Sequence, residues 1–429
     1  MQHSAQVLVT GGNGALAIHC IHQLLKKGYH VRTSLRSLSK KNDVLSMLRN
    51  GGISAFDQLS FIEADLTKDD NWDAAMKGCK YVLHVASPTH SSSKNENEMI
   101  GPAVEGVLRV LQAAKHADVK RVVLTSSFGA LGFSHKAVKG HTSGRNPCQK
   151  SNETTGTTEI TGTNDITGTT QTTGTNKTTG TTEITRTNDI TGTTQTTGTN
   201  KTTRTTEITR TNDITGTTQT RGTNKTTRTT ETTEADWTDP NEKGLSAYEK
   251  SKVLAERAAW DFINTEGGDM ELSVINPVAI YGPSLGPNNS PSLGLLRMLL
   301  GGQLKAVPNI PLNVVDIRDV ADLHLRAMEN PAAAGQRFIA TADGQISLPE
   351  IARLLKAKMP AAAAKVSLKV IPDGVLRIMR LFNPQAKTAY HMLSINRNVS
   401  NAKAKKILGW TPSGNNETAI LAAVETMLK

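Results

Sequence analysis

The chain is poor in cysteine, in aromatic residues and in long apolar runs. Only three cysteines, Cys20, Cys79 and Cys148, stand in 429 residues. They show neither the even number of a disulfide framework nor the paired spacing of a zinc site, so free thiols in a reducing compartment and no metal centre are expected. No apolar run approaches the roughly 20 residues of a membrane-spanning helix. A strand starts within a few residues of the N-terminus and leaves no room for a signal peptide, so a soluble, cytoplasmic protein with no membrane partner is expected. Hydrophobic residues make up 37% of the chain and aromatics 4%, low for a globular protein.

The deficit is local. Residues 151–234 consist mostly of Thr, Gly, Asn, Asp, Gln, Lys and Arg, and the remainder has ordinary globular composition. That segment holds eight Lys/Arg and nine Asp/Glu, a net of −1, so the chain's +11 comes from a remainder that carries +12. The basic residues are scattered, with no aromatic-interleaved basic stretch. This argues against a nucleic-acid partner and leaves an anionic small ligand, such as a dinucleotide phosphate, to be considered.

Between about Thr155 and Thr229 a six-residue unit led by Thr-Gly-Thr or Thr-Arg-Thr recurs, and Asn164-Asp165, Asn188-Asp189 and Asn212-Asp213 open near-identical copies 24 residues apart. Its apolar content is essentially six isoleucines, too little to offset chain ordering, so a disordered insertion over 141–234 is the expectation. A β-solenoid, with Thr at i and i+2 sharing one strand face, is the alternative. Loop-closure entropy grows slowly with length, so such an insertion need not unfold its host.

Outside it, strands alternate with helices. Gln6–Val9 reads as a strand, Thr10-Gly-Gly-Asn-Gly14 as a turn, Ile18–Lys27 as a helix and Tyr29–Leu35 as a second strand. In this context Gly11 permits the tight turn, Gly14 lets the backbone approach a pyrophosphate, and the helix N-terminus offers free N–H groups. The second strand ends in Leu35-Arg36-Ser37, with Lys40 beyond and no carboxylate before Asp43. A guanidinium suits a 2′-phosphate, so NADP(H) is the expected cofactor. Further strands at Leu59–Ile62, Lys80–Val85, Lys120–Leu124 and Leu272–Pro277 predict an α/β fold with a doubly wound parallel sheet. Gly11, Arg36, Asp65, Ala86 and Ser127 all fall at strand ends, where ligands of such sheets bind. His84 and His324 read as packed structural histidines. The Gly- and Pro-rich stretch Tyr281–Pro291 reads as a loop and a substrate lid. Tyr248 and Lys252 are four apart in a helix-favouring stretch and share one face, a phenol beside an ammonium.

Thr10-Gly-Gly-Asn-Gly14, Asp65-Leu66, Thr125-Ser-Ser127, Tyr248-x-x-x-Lys252 and Asn276-Pro277 follow one another in an order that resembles the extended short-chain dehydrogenases/reductases, within the NAD-dependent epimerase/dehydratase superfamily. Val82-Leu-His-Val-Ala-Ser-Pro88 and Val31-Arg-Thr-Ser-Leu-Arg36 bring it closer to the dihydroflavonol-reductase-like and aldehyde-reductase-like branch. The resemblance implies a Rossmann sheet with a smaller C-terminal substrate domain. It would divide the chain into 1–140 and 235–280 as two parts of the Rossmann domain, and 281–429 as mainly substrate-binding, with strands near 312–340 returning to the sheet.

It also implies roles. Tyr248 would protonate the nascent alkoxide, Lys252 would hold the nicotinamide ribose and lower the Tyr248 pKa, and Ser127 would hydrogen-bond the substrate carbonyl. Asp65 would meet the adenine. The cofactor line would run through Gly11, Gly14, Ala15, Leu16, Arg36, Lys40, Asp65, Leu66, Ala86, Ser87, Asn276 and Pro277, with Tyr248 and Lys252. Phe133 and Tyr281 are candidates for the substrate pocket. The implied reaction is NADPH-dependent reduction of an aldehyde or ketone, a small-molecule carbonyl substrate. The assembly stays open between a monomer and a homodimer paired through helices beside the active site. The same fold serves nucleotide-sugar epimerases and dehydratases, which hold NAD, and Arg36 argues against that. A non-catalytic NADP-binding or repeat-mediated surface protein would have no need of Ser127, Tyr248 and Lys252. Two departures from the family pattern stand out: Ala15 replaces a frequent aromatic residue, and Ala103-Val-Glu-Gly106 lacks a frequent Asn.

Overall fold

The computed structural model describes residues 5–88, 95–134, 231–287 and 290–428, and the backbone of strand stretches between 154 and 221. Cys148 lies outside the described residues. The chain divides into two units, Met1–Ala137 with Glu231–Lys429, and Val138–Thr230.

The first unit is built on seven strands: β1 (Gln6–Val9), β2 (His30–Leu35), β3 (Leu59–Glu63), β4 (Cys79–His84), β5 (Arg121–Thr125), β6 (Glu271–Pro277) and β7 (Gln336–Ala340). Their order across the sheet is β7-β6-β5-β4-β1-β2-β3, and every pairing is parallel. Alternate residues of a strand face opposite sides, and both sides here are apolar. Val7, Val9, Leu83 and Val123 enter one core cluster, together with residues of α1 (Ala15–Lys26). Leu8, Val82, Val122 and Val274 enter another, together with residues of α2 (Asn97–His116) and α3 (Ala247–Thr265). Burial on both faces explains the near-continuous apolar strands and confirms the doubly wound Rossmann reading. Parallel strands put all carboxyl ends on one edge, which is where a ligand site forms.

A third apolar cluster belongs to the C-terminal part and includes Leu293, Leu296, Ile351, Leu355 and Ile420. Three short pairings lie outside the main sheet, among them Ala279–Tyr281 with Val314–Asp316. Among the described residues no helix is long and apolar enough to cross a membrane.

In the second unit the described backbone is strand. Thr154–Thr161, Ile166–Gly174, Thr178–Gly198, Thr203–Thr215 and Thr218–Arg221 pair parallel. Thr154 faces Thr178, Thr179 faces Thr203 and Ile166 faces Ile190, so the 24-residue sequence period is the strand register. Identical copies one period apart let each backbone group of these stretches pair with its own equivalent.

Candidate functional site

The site begins where β1 and β4 end side by side. Thr10 Oγ1 accepts the N–H groups of Val85 at 3.0 Å and Ala86 at 2.9 Å. Its proton is therefore directed to His84 Nδ1, 2.9 Å away. Burial pushes the His84 pKa down to about 3, and the ring is neutral. Gly11 follows with φ +69°, and a Cβ there would lie 2.9 Å from Ala86 Cβ. Gly12, which the sequence reading did not single out, is packed as tightly: a Cβ would come within 2.2 Å of Thr33 Oγ1. Gly14 caps α1 in an extended conformation with no side chain, leaving the first-turn N–H groups open to a ligand anion.

A cavity of about 1210 Å³ runs along this edge. Gly11, Gly14, Ala15, Leu16, Arg36, Lys40, Asp65, Leu66, Ala86, Ser87, Ser127, Phe133, Tyr248, Lys252 and Pro277 are all on its wall. Arg36 is exposed, and Lys40 pairs with Asp43 at 3.2 Å. Burial would raise the Asp65 pKa, but hydrogen bonds from the Thr67 N–H (2.9 Å) and hydroxyl (3.0 Å) and the Arg36 charge hold it below the usual range.

Two expected residues are elsewhere. Asn276 is fully buried behind the wall, with Nδ2 donating to Glu256 Oε2 at 2.8 Å and to the Ser127 carbonyl at 3.2 Å. It braces the strand end rather than facing the cofactor space, because its strand turns that side chain towards α3. Tyr281 is 2% exposed and sits in the third apolar cluster, so it does not line the substrate pocket. Pairing with Val314–Asp316 turns it away.

Helix α3 carries the chemistry. A capping box starts it: Ser246 Oγ accepts the Glu249 N–H at 3.3 Å, and Glu249 Oε2 accepts the Ser246 N–H at 2.6 Å. That fixes the phase of the first turns. Tyr248 and Lys252, one turn apart, both reach the cavity. Lys252 Nζ donates to the Thr125 carbonyl at 3.4 Å and lies 5.9 Å from the Tyr248 ring centroid. Burial lowers the Lys252 pKa to about 8, partly opposed by Glu256. Burial raises the Tyr248 pKa to about 12, and the Glu249 charge adds to the rise. This corrects the expectation of a lowered phenol. Burial and the neighbouring Glu249 charge both disfavour the phenolate. Ser127 Oγ accepts the Gly129 N–H at 3.1 Å and faces the same space.

Two residues escaped the sequence reading. Glu256, 1% exposed, accepts from Ser126 Oγ, from Asn276 Nδ2 and from Arg337 Nε at 2.7 Å. The i, i+4 series Tyr248, Lys252, Glu256 would have found it. Arg397, also on the wall, lies in an irregular C-terminal stretch that carries no periodic signal.

The model of the NAD dependent epimerase/dehydratase family matches residues 7–180. A cinnamoyl-CoA reductase of Medicago truncatula is 26% identical over 358 residues, covering 83% of this chain and 81% of its own length. A putative NADPH-dependent methylglyoxal reductase of Candida albicans is 26% identical, covering 84% of each chain. The solved structure of yeast methylglyoxal/isovaleraldehyde reductase complexed with NADPH has the same fold, with a TM-score of 0.64 at 22% identity, covering 99% of this chain and 98% of that one.

Proposed function

Because residues 7–180 match the model of the NAD dependent epimerase/dehydratase family and reductases are among the similar proteins, we propose that this chain is an NADPH-dependent reductase that converts an aldehyde or ketone to an alcohol. The observation that carries the reading is one cavity whose wall holds Gly11, Gly14 and Arg36 together with Ser127, Tyr248 and Lys252. The first three suit a phosphorylated dinucleotide and the last three suit a reacting carbonyl.

The residues present fit the cofactor. At Gly11 the backbone is held in a conformation that excludes a side chain, so a pyrophosphate can approach the N-terminus of α1. Arg36 and Lys40 at the end of the site would meet a 2′-phosphate. When bound, NADPH supplies the hydride. Ser127 Oγ would orient the substrate carbonyl by hydrogen bonding to its oxygen. Tyr248, raised to about 12, keeps its proton at neutral pH and donates it to the alkoxide oxygen as charge develops there. The Lys252 ammonium stabilises the phenolate left behind. Both donors act more strongly on the transition state than on the ground-state carbonyl.

The free, buried thiols of Cys20 and Cys79 fit a reducing compartment, and the cytoplasm is the proposed location. The test is consumption of NADPH against NADH by the purified full chain over aldehydes, diketones and flavanonols. Faster turnover with NADPH on at least one carbonyl supports the reading, and preference for NADH removes its basis at Arg36.

A further inference from the structure

The described residues include three deeply buried arginines, and two of them are neutralised within the fold. Arg121, 1% exposed, meets Glu271 and the carbonyls of Ala327, Met328 and Asn330. Arg337, 7% exposed, meets Glu256 and the carbonyls of Glu234 and Asp236. Arg397, 8% exposed, has neither. Among the described residues its guanidinium hydrogen-bonds only to the Met392 sulfur, at 4.0 Å, and its Nε is buried without an acceptor.

The surroundings explain how such a cation is tolerated. The Phe128 and Phe133 ring centroids lie 5.5 and 5.8 Å from the guanidinium carbon, and aromatic faces attract a cation. The backbone of Arg397 is anchored by Asn313 Nδ2, which donates to its carbonyl at 3.2 Å, with Gln345 Nε2 on the same oxygen. Among the described residues Glu249 is the acid whose charge acts on Arg397. That carboxylate is engaged at the Ser246 N–H, and no ion pair joins it to Arg397 among the described residues. Arg397 stands at the catalytic end of the cavity, since Phe128 follows Ser127 and Glu249 follows Tyr248. On the wall beside its guanidinium stand the apolar side chains of Phe128, Phe133 and Met392, with Asn313 at its backbone and Glu249 as the acid acting on it. Burying a charge without a partner is costly, and a guanidinium fork matches a carboxylate with two hydrogen bonds.

We propose that Arg397 is the anchor for a carboxylate on the substrate, so that the preferred substrate is a carbonyl compound with an apolar body and a carboxylate at its far end. Phe128 and Phe133 would cover the body, and Ser127 and Tyr248 would receive the carbonyl. This rests on the reductase reading and adds a substrate class to it.

The test compares 4-carboxybenzaldehyde with its methyl ester, which has the same aldehyde and ring but no charge. Turnover with NADPH and calorimetric binding to the NADPH-saturated full chain are measured for both. The expected result is kcat/KM at least tenfold higher for the acid than for the ester. Arg397→Gln should bring that ratio close to one, mainly through KM for the acid. Equal handling of acid and ester by the unaltered chain overturns the proposal, and so does an acid preference that survives in Arg397→Gln. If that variant does not fold, Arg397→Lys keeps charge and bulk without the fork. Its acid-to-ester ratio should then fall below that of the unaltered chain, and an unchanged ratio overturns the proposal. If neither aldehyde nor any carbonyl of the wider panel consumes NADPH, the reductase reading fails. The calorimetric comparison still decides whether Arg397 selects the carboxylate.

Discussion

Tyr248 is held in its acid form by burial and faces an ammonium that would stabilise its conjugate base. Removing the hydroxyl in Tyr248→Phe should lower kcat for carbonyl reduction by about 100-fold or more. NADPH binding, followed by cofactor fluorescence, should persist, and a fully active variant would remove Tyr248 from the mechanism. At the other end of the cavity, Arg36 is exposed and makes no ion pair among the described residues. Arg36→Ala should raise KM for NADPH by about tenfold, the scale of a charge-assisted hydrogen-bond pair. KM for NADH should move little, and steady-state kinetics with both cofactors reads the difference. These residues were legible from spacing and strand-end position. Asn276 was legible as a strand-end residue, but not the direction of its side chain. Arg397 was not legible, because nothing local marks an arginine that is buried without a carboxylate among the described residues.

Among the elements, α3 was legible from the helix-favouring residues around Tyr248 and Lys252, and the structure starts it with a capping box at Ser246 and Glu249. The helix at Pro291–Leu300 did not. Its opening proline closes a Gly- and Pro-rich stretch, and proline at a first helical position reads the same as proline in a loop. Nor did Lys41–Asn50 or Pro384–Ser394 stand out, since neither contains a long apolar stripe.

The long insertion is bounded by contacts that composition does not reveal. Phe133 N donates to Thr238 Oγ1 at 3.0 Å, Thr238 N to the Ala130 carbonyl at 2.9 Å, and Asp239 N to Ser134 Oγ at 2.8 Å. The chain leaves and returns at one place. Residues 231–234, which composition assigns to the repeat, are already tied in: Thr232 N donates to the Asn398 carbonyl, and Glu234 accepts from Ile339 N and Arg337. Replacing 138–230 by a short Gly-Ser linker should therefore leave NADPH-dependent turnover within about twofold. Removing 151–234 should lower Tm as well, because it takes the Glu234 contacts with it. Calorimetry of the two deletions separates these outcomes, and an inactive 138–230 deletion would show that the insertion matters to the site.

At the scale of the whole molecule, three buried histidines set the acid limit of stability. His19 donates Nε2–H to the Pro283 carbonyl, and His324 donates Nδ1–H to the Val320 carbonyl while accepting from Thr125 Oγ1. His84 accepts from Thr10. Burial lowers their pKa values to about 4, 4 and 3 respectively. Between about pH 4 and 6.5 the unfolded chain therefore binds protons that the folded chain does not, and stability rises with pH across that window. It is fully present above pH 6.5 and is lost as pH falls towards 4. Each histidine should contribute about 2 kcal/mol of difference between pH 6.5 and pH 5. Denaturant unfolding at the two pH values measures it, and His324→Gln should reduce the slope by about one proton. A pH-independent midpoint would mean that these rings take up protons in the folded chain as they do in the unfolded one.

Sequence by itself determined the alternation of strand and helix, the glycine turn, the basic end of β2 and the one-turn spacing of Tyr248 and Lys252. Each of these depends on residues close together in the chain, where periodicity and backbone sterics act. Tertiary structure alone decided that Tyr248 is pushed up rather than down, that Asn276 and Tyr281 turn away from the cavity, and that Arg397 meets no carboxylate among the described residues. Burial and pairing are set by elements far apart in the chain, and local pattern does not specify which of them meet.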